Sequence, residues 1–373
     1  MIACLSHVAD TRRVLLIHTT DPAAPPGGRA MLSRINARLL RNLFGNGLIE
    51  FRLPLRPGTA WGAIRGHVNG IDDTSLGDIL AWIDAEQIGI VVLDGSNLGA
   101  AAAAIGAAQP DVRVVTVFHN VETRFFWGSF RARRSVRSLA VLAANYIAER
   151  KAVRASDVLI VLSERDSAGL RRLYGRGADA VAPMVMEDKP ALFSTETPAI
   201  GKRYLLFVGG SFYANIAGID WFVREVAPRT RLHVMVVGRG MDMLAERFAG
   251  NDAVTLVGAV DDLAPWYAGA MLVIAPIFDG SGMKTKVAEA LMFGKHVVGT
   301  PEAFSGYAED VVAANRCCAD ADTFVAALTL AEIAPPPAFD STMRAFYQRD
   351  HSPSAAQARL ASILGVQDQS NDS

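Results

Sequence analysis

Two lysines, a glutamate and a glycine loop form the grouping in this sequence most able to do chemistry. Lys284, Lys286 and Glu289 lie within the segment 276–300, PIFDGSGMKTKVAEALMFGKHVVGT. Apolar residues 272–274 precede it and 296–298 close it, so the pattern predicts a strand end, a glycine loop, a helix and a second strand. Gly280 and Gly282 fall in the loop, and the predicted helix opens with Lys284 and Lys286. A helix N-terminus already carries about half a positive charge, so each cation placed there costs roughly 0.3–1 kcal/mol. An anion bound at the site removes the conflict. Backbone N–H groups, the helix dipole and two ammonium groups together suit a phosphate or diphosphate. Glu289 lies one turn beyond Lys286 on the same helix face. Its carboxylate is placed to hold sugar or ribose hydroxyls of a nucleotide.

Three further glycine signals stand at predicted strand ends: Gly209, Gly210 and Ser211; Gly238; and Gly258. Glycine there permits close backbone approach to a ligand, and also serves as a plain turn residue. No loop matches the full G-x-G-x-x-G pattern, which gives no support to NAD or FAD. In the first half, Gly27 and Gly28 follow the first strand, either as a ligand loop or as a helix entry turn. His119 and Asn120 end another strand. The segment 124–137 mixes Arg124, Arg131, Arg133, Arg134 and Arg137 with Phe125, Phe126, Trp127 and Phe130. Arginines among aromatics suit an anionic membrane interface, and equally an ordinary helix with a solvated basic face. No recognised nucleic-acid module accompanies them.

The elements that must position these residues alternate in type. Near-continuous apolar runs at 14–18, 49–53, 90–93, 112–118 and 158–162 predict buried parallel strands. Helical patterns at 30–43, 76–85, 131–154 and 165–174 lie between them. A proline-rich, non-periodic stretch at 183–202 reads as a linker. A second rhythm follows, with strands at 204–208, 232–237, 254–257, 272–275 and 296–298 and helices at 216–226, 241–248, 262–268 and 283–293. The reading is α/β, two Rossmann-like doubly wound domains facing across a cleft. The expected division is 1–186, a linker at 187–202, a second domain at 203–340, and C-terminal helices with a polar tail at 341–373.

Composition narrows the classes. The 373 residues are 51% hydrophobic, enough for two cores, and the formal net charge of −1 argues against whole-protein attraction to nucleic acid. Cys4, Cys317 and Cys318 lack metal spacing, and the adjacent pair is expected to be two buried thiols. No signal peptide or membrane span is evident, so the expected location is cytoplasmic, with contact at the inner face of the membrane through 124–137.

Several blocks in order resemble glycosyltransferase family 4 (group 1) enzymes of the GT-B fold, bacterial surface-polysaccharide type. They are TVFHN at 116–120, the run at 155–175, LLFVGGSFYANIAGIDWFVREVAP at 205–228 and the run at 257–300. The resemblance implies sugar transfer from a nucleotide-diphosphate sugar to a saccharide or lipid-linked acceptor, with retention and without a metal or bound cofactor, in polysaccharide or glycoconjugate biosynthesis. UDP, GDP and TDP donors are not distinguished. It implies that Lys284 and Lys286 contact the diphosphate, that Glu289 lies near the ribose, and that His119 lies near the reaction centre. Gly209, Gly210, Ser211, Gly238, Gly258, Asp279, Gly280, Ser281, Gly282 and Met283 would line the donor. Gly27, Gly28 and Asn120 would line the acceptor side. Two positions depart from the family pattern. Ser281 stands where the first glutamate of E-x7-E is expected, with Asp279 the nearest carboxylate, and no Arg/Lys pair follows Gly209. A GT-B nucleotide-sugar epimerase and a catalytically inactive GT-B-like binding subunit are the alternative readings.

Overall fold

A computed structural model describes residues 13–19, 28–54, 59–189, 203–280 and 282–366. The chain divides into two compact units. Unit 1 comprises 1–184 with 356–373, and unit 2 comprises 185–355.

Unit 1 contains strands β1 (Arg13–His18), β2 (Leu48–Arg52), β3 (Ile88–Asp94), β4 (Arg113–Phe118), β5 (Val158–Val161) and β6 (Ala180–Val181). They form one parallel sheet in the order β2-β1-β3-β4-β5-β6. Its helices are α1 (Gly28–Phe44), α2 (Ala60–Ile64), α3 (Asp73–Glu86), α4 (Gly99–Ala108), α5 (Glu122–Arg133), α6 (Val136–Ala155) and α7 (Glu164–Tyr174). Strand side chains alternate between two cores, which is why the strand runs are apolar throughout. Leu15, Ile17, Val91 and Leu93 face Ile79, Ile83, Ala101 and Ile105. Val14, Leu16, Ile90 and Val92 face the other side with Leu40 and Leu364.

Unit 2 contains β7 (Tyr204–Val208), β8 (His233–Val237), β9 (Val254–Gly258), β10 (Ala270–Ala275), β11 (Val297–Gly299) and β12 (Arg316–Cys317), in the parallel order β12-β11-β10-β7-β8-β9. Its helices are α8 (Tyr213–Glu225), α9 (Ala264–Gly269), α10 (Thr285–Met292), α11 (Glu309–Ala314), α12 (Ala321–Ile333) and α13 (Ser341–Asp350). The last helix, α14 (Pro353–Leu364), supplies Leu360, Ile363 and Leu364 to the second core of unit 1.

Four local expectations need correction. The single helix expected over 131–154 is two, α5 and α6. Arg134 takes the left-handed region at φ 46°, and Ser135 caps α6 through a reciprocal box with Ser138. The helix expected over 241–248 shortens to a 3-10 turn at Met241–Leu244. Lys284 is the N-cap of α10 in extended conformation, so that helix opens with Thr285 rather than with a lysine. Cys317 is exposed on the edge strand, while Cys318 is buried, and both are free thiols. Most of the linker, together with Gly27, Ser281, Cys4 and the tail from 367, lies outside the described residues.

Candidate functional site

In an open α/β sheet the chain leaves the strands on opposite sides where the strand order reverses, and loops there diverge to leave room for a ligand. In unit 2 that point lies between β7 and β10. The glycine loop 209–211 follows β7, and the lysine loop follows β10.

Hydrogen bonds across the strand ends align the glycine loops. Gly238 N–H donates to Gly258 O (2.7 Å), Gly209 N–H to Val237 O (2.9 Å) and Ser211 N–H to Arg239 O (3.0 Å). Gly238 has φ +156°, and a Cβ there would meet Gly209 O at 1.9 Å, so only glycine fits. A second close approach seats α8. A Cβ on Gly218 would meet Pro276 O at 1.8 Å, which brings the helix after the glycine loop against the end of β10.

Lys286 crosses this junction. Its Nζ donates to Asn215 Oδ1 (2.9 Å) in the first turn of α8 and lies 4.1 Å from the Phe207 ring centroid. Asn215 Nδ2 in turn donates to Gly210 O (2.9 Å), so one amide ties the lysine to the glycine loop. Lys286 is buried, and burial, with a smaller contribution from Lys284, lowers its ammonium to about 7 despite the opposing pull of Glu289. An anion bound beside Lys286 would favour its charged form.

Glu289 is half-buried and accepts from the Tyr267 hydroxyl (3.1 Å). Burial raises its carboxyl, against the pull of Tyr267, Lys189 and Lys286. Lys284 Nζ donates to Gly282 O (2.8 Å) and to Glu302 (3.0 Å). Tyr307 braces the start of α10, donating to Lys284 O (2.7 Å) and accepting from Ala288 N–H (3.0 Å). Asp279 is exposed, accepts from Gly280 N–H (2.7 Å) and bonds Tyr213 of α8 (3.2 Å). Met283 is buried. The structure thus brings Gly209, Gly210, Asp279, Gly280, Gly282, Lys284 and Lys286 to one end of the sheet, with Ser211, Gly238 and Gly258 alongside.

Unit 1 reverses its order between β1 and β3. His119 follows β4, and Asp94 ends β3 in register with Val117. His119 Nε2 lies 2.8 Å from Asp94 Oδ1, and Asn36 Nδ2 of α1 donates to the same oxygen (2.9 Å). Burial alone would raise the Asp94 carboxyl. The His119 ring, Ser33 and Asn36 outweigh it and hold the carboxyl well below the ordinary range. His119 is therefore a buried, paired residue rather than an open one, with 9% of its surface exposed. Gly28 begins α1, and Asn120 is half-buried beside His119.

Sequence reasoning did not single out Asn215, Glu302, Tyr267, Tyr307, Asp94 or Asn36. Only Asp94 carried a signal, a carboxylate closing the apolar run IGIVVLD.

The family described as glycosyl transferases group 1 matches residues 202–331, the stretch that holds the lysine loop. No curated protein matches the chain in sequence. Among solved structures, the chain is similar to sucrose-phosphate synthase from Thermosynechococcus elongatus. The TM-score is 0.67 at 15% identity, over 95% of this chain and 98% of that one. HepE from Anabaena, solved with UDP and glucose, gives a TM-score of 0.65 at 14% identity, covering 95% and 99%. WaaG, a glycosyltransferase involved in lipopolysaccharide biosynthesis, gives 0.57 at 16%, covering 95% and 96%. The fold is the two-domain α/β arrangement of GT-B glycosyltransferases. The group 1 match supports a transferase.

Proposed function

We propose that the protein is a family 4-type glycosyltransferase that moves a sugar from a nucleotide-diphosphate sugar to a saccharide or lipid-linked acceptor in polysaccharide or glycoconjugate assembly. The observation that carries this reading is Lys286, buried at the strand-order reversal of unit 2 and tied by Asn215 to the glycine loop. The donor diphosphate is assigned to Lys284 and Lys286 with the α10 N-terminus, and the ribose to Glu289. Asp279 is assigned to donor-sugar hydroxyls. HepE has been solved with UDP and with UDP-glucose, which agrees with a donor of that class.

Departure of a nucleoside diphosphate builds negative charge on its oxygens. Preorganised ammonium groups in a water-poor site stabilise that charge, which a divalent cation does in other enzymes. On this reading the reaction proceeds without a metal and with retention. His119 is assigned to the reaction centre, with unit 1 taking the acceptor. Exposed Arg124, Phe125, Trp127, Arg131, Arg134 and Arg137 support contact of unit 1 with anionic lipid. Unchanged binding to anionic vesicles after Arg131→Glu, Arg134→Glu and Arg137→Glu together would remove that part.

The test of the main reading is a melting panel with UDP, GDP, TDP, ADP and their sugars, since a ligand that binds only the folded state raises its melting point. At least one donor is expected to raise it, and Lys286→Ala to abolish the rise. An undiminished rise in that variant takes Lys286 out of the site.

A further inference from the structure

Asp94 and His119 are fixed from both sides. Asn36 holds the carboxylate oxygen that faces the ring. The backbone just after His119 is held by Glu149, which is fully buried. It accepts from Glu122 N–H (2.9 Å), Thr123 N–H (3.1 Å) and the Tyr174 hydroxyl (2.7 Å). The imidazole itself is held by its burial and by the Asp94 contact. Its other nitrogen, Nδ1, is buried and finds no partner among the described residues, and neither does the Ser96 hydroxyl on the loop after β3. An unpaired buried polar atom costs roughly 1–3 kcal/mol, so such atoms are uncommon away from ligand sites. An ionised carboxylate only accepts hydrogen bonds, so the proton of a neutral ring must sit on Nε2, leaving the lone pair on Nδ1.

We propose that Asp94 is a positioning residue that binds the Nε2–H of His119, fixing the ring and its tautomer so that Nδ1 is the nitrogen that meets a hydroxyl of the sugar substrate. The sugar in this statement rests on the glycosyltransferase reading. The control of the ring by Asp94 rests on the geometry alone.

Nitrogen-15 spectra of histidine-labelled protein test the ring without any substrate, with the His119 signal assigned by its loss in His119→Gln. Read with the ring neutral, the tautomer this contact requires has a protonated Nε2 and a bare Nδ1. A proton on Nδ1 in the native protein overturns the proposal. Turnover is then read as nucleoside diphosphate release from the nucleotide sugar chosen by melting. Asp94→Asn is expected to lower kcat about a hundredfold or more, the scale of a misplaced acid–base group, with donor KM and the melting shift by free nucleoside diphosphate retained. Because Asp94 acts through the ring, Asp94→Asn combined with His119→Gln should be no slower than His119→Gln alone; multiplied losses overturn the proposal. If no nucleotide sugar is bound or turned over by the native protein, the glycosyltransferase reading fails, and the tautomer still decides the role of Asp94.

Discussion

At the scale of single residues, the two lysines of the candidate donor site differ in state. Lys284 is ion-paired with Glu302, whereas Lys286 is buried, with its ammonium lowered to about 7. A bound diphosphate favours the charged form and raises that value, so binding takes up a proton once the pH exceeds about 7. Affinity for a nucleoside diphosphate should be full below about pH 7 and fall above it, by at most about tenfold per unit. Calorimetry at pH 6.5 and 8.5 in buffers of different ionisation enthalpy checks this, and a flat profile contradicts it. The same shift acts on stability with the opposite trend. Between about pH 7 and the unfolded value near 10.5, the unfolded chain binds more protons, so the ligand-free protein gains stability as pH rises. Lys286→Met should flatten that gain. The sequence showed the lysines but not this distinction. Lys295, in the same stretch, is buried too, yet it donates to the carbonyls of Ala268, Ala270 and Ala338 and serves as a strut. What separates the two is what returns to meet them, a side-chain amide and a ring for Lys286 and three carbonyls for Lys295, and that is decided by residues far away in the chain. Asn36 and Asp94 likewise lie 58 positions apart, and no local pattern joins them.

At the scale of elements, apolar runs bounded by glycine made the strands legible, because strands buried on both faces have no polar positions to confuse the pattern. Breaks between helices were harder to read. The boundary between α5 and α6 depends on one left-handed residue and one serine cap within a run that otherwise favours continued helix. Ser135→Ala removes the box and should cost about 1 kcal/mol. Arg134→Gly relieves the positive φ and should return part of that, roughly 0.5–1 kcal/mol. Denaturant titration of the two variants measures both, and equal and opposite effects of the other sign would contradict the assignment. The strand-end loops are less forgiving. Gly238→Ala places a Cβ against Gly209 O, which must part the loops after β7 and β8. Loss of nucleoside diphosphate binding is expected together with lower stability.

At the scale of the whole molecule, two doubly wound units were legible from the repeated rhythm of strand and helix, and the positions of the strand-order reversals were not. Strand order is set by pairing between segments distant in sequence, and the apolar runs of β3 and β10 say nothing of their neighbours. The assignment of α14 to unit 1 was equally hidden. Its amphipathic pattern fits any apolar face, and the face it covers belongs to β1, β3 and β4. Arg113 strengthens the attachment by donating to Ile363 O (3.1 Å) and Leu364 O (3.0 Å). A chain ended after Ser352 should lose much of the stability of unit 1, since each buried leucine or isoleucine is worth about 1.5–3 kcal/mol. Limited proteolysis should then cut unit 1 first, while unit 2 keeps its nucleoside diphosphate-dependent melting. Equal protease resistance of the two forms would show that α14 is dispensable.

The split of unit 1 across the ends of the chain also sets an order of events during synthesis. Unit 2 runs uninterrupted from 185 to 355 and has all its strands before α14 is complete. The first unit, although translated first, waits about 180 residues, from 184 to 364, for the helix that covers its sheet. At about 5–20 residues per second that is a delay of roughly 10–40 s. Through that interval Leu16, Val92 and their neighbours keep α1 beside them but lack the share of their cover that Leu360, Ile363 and Leu364 supply.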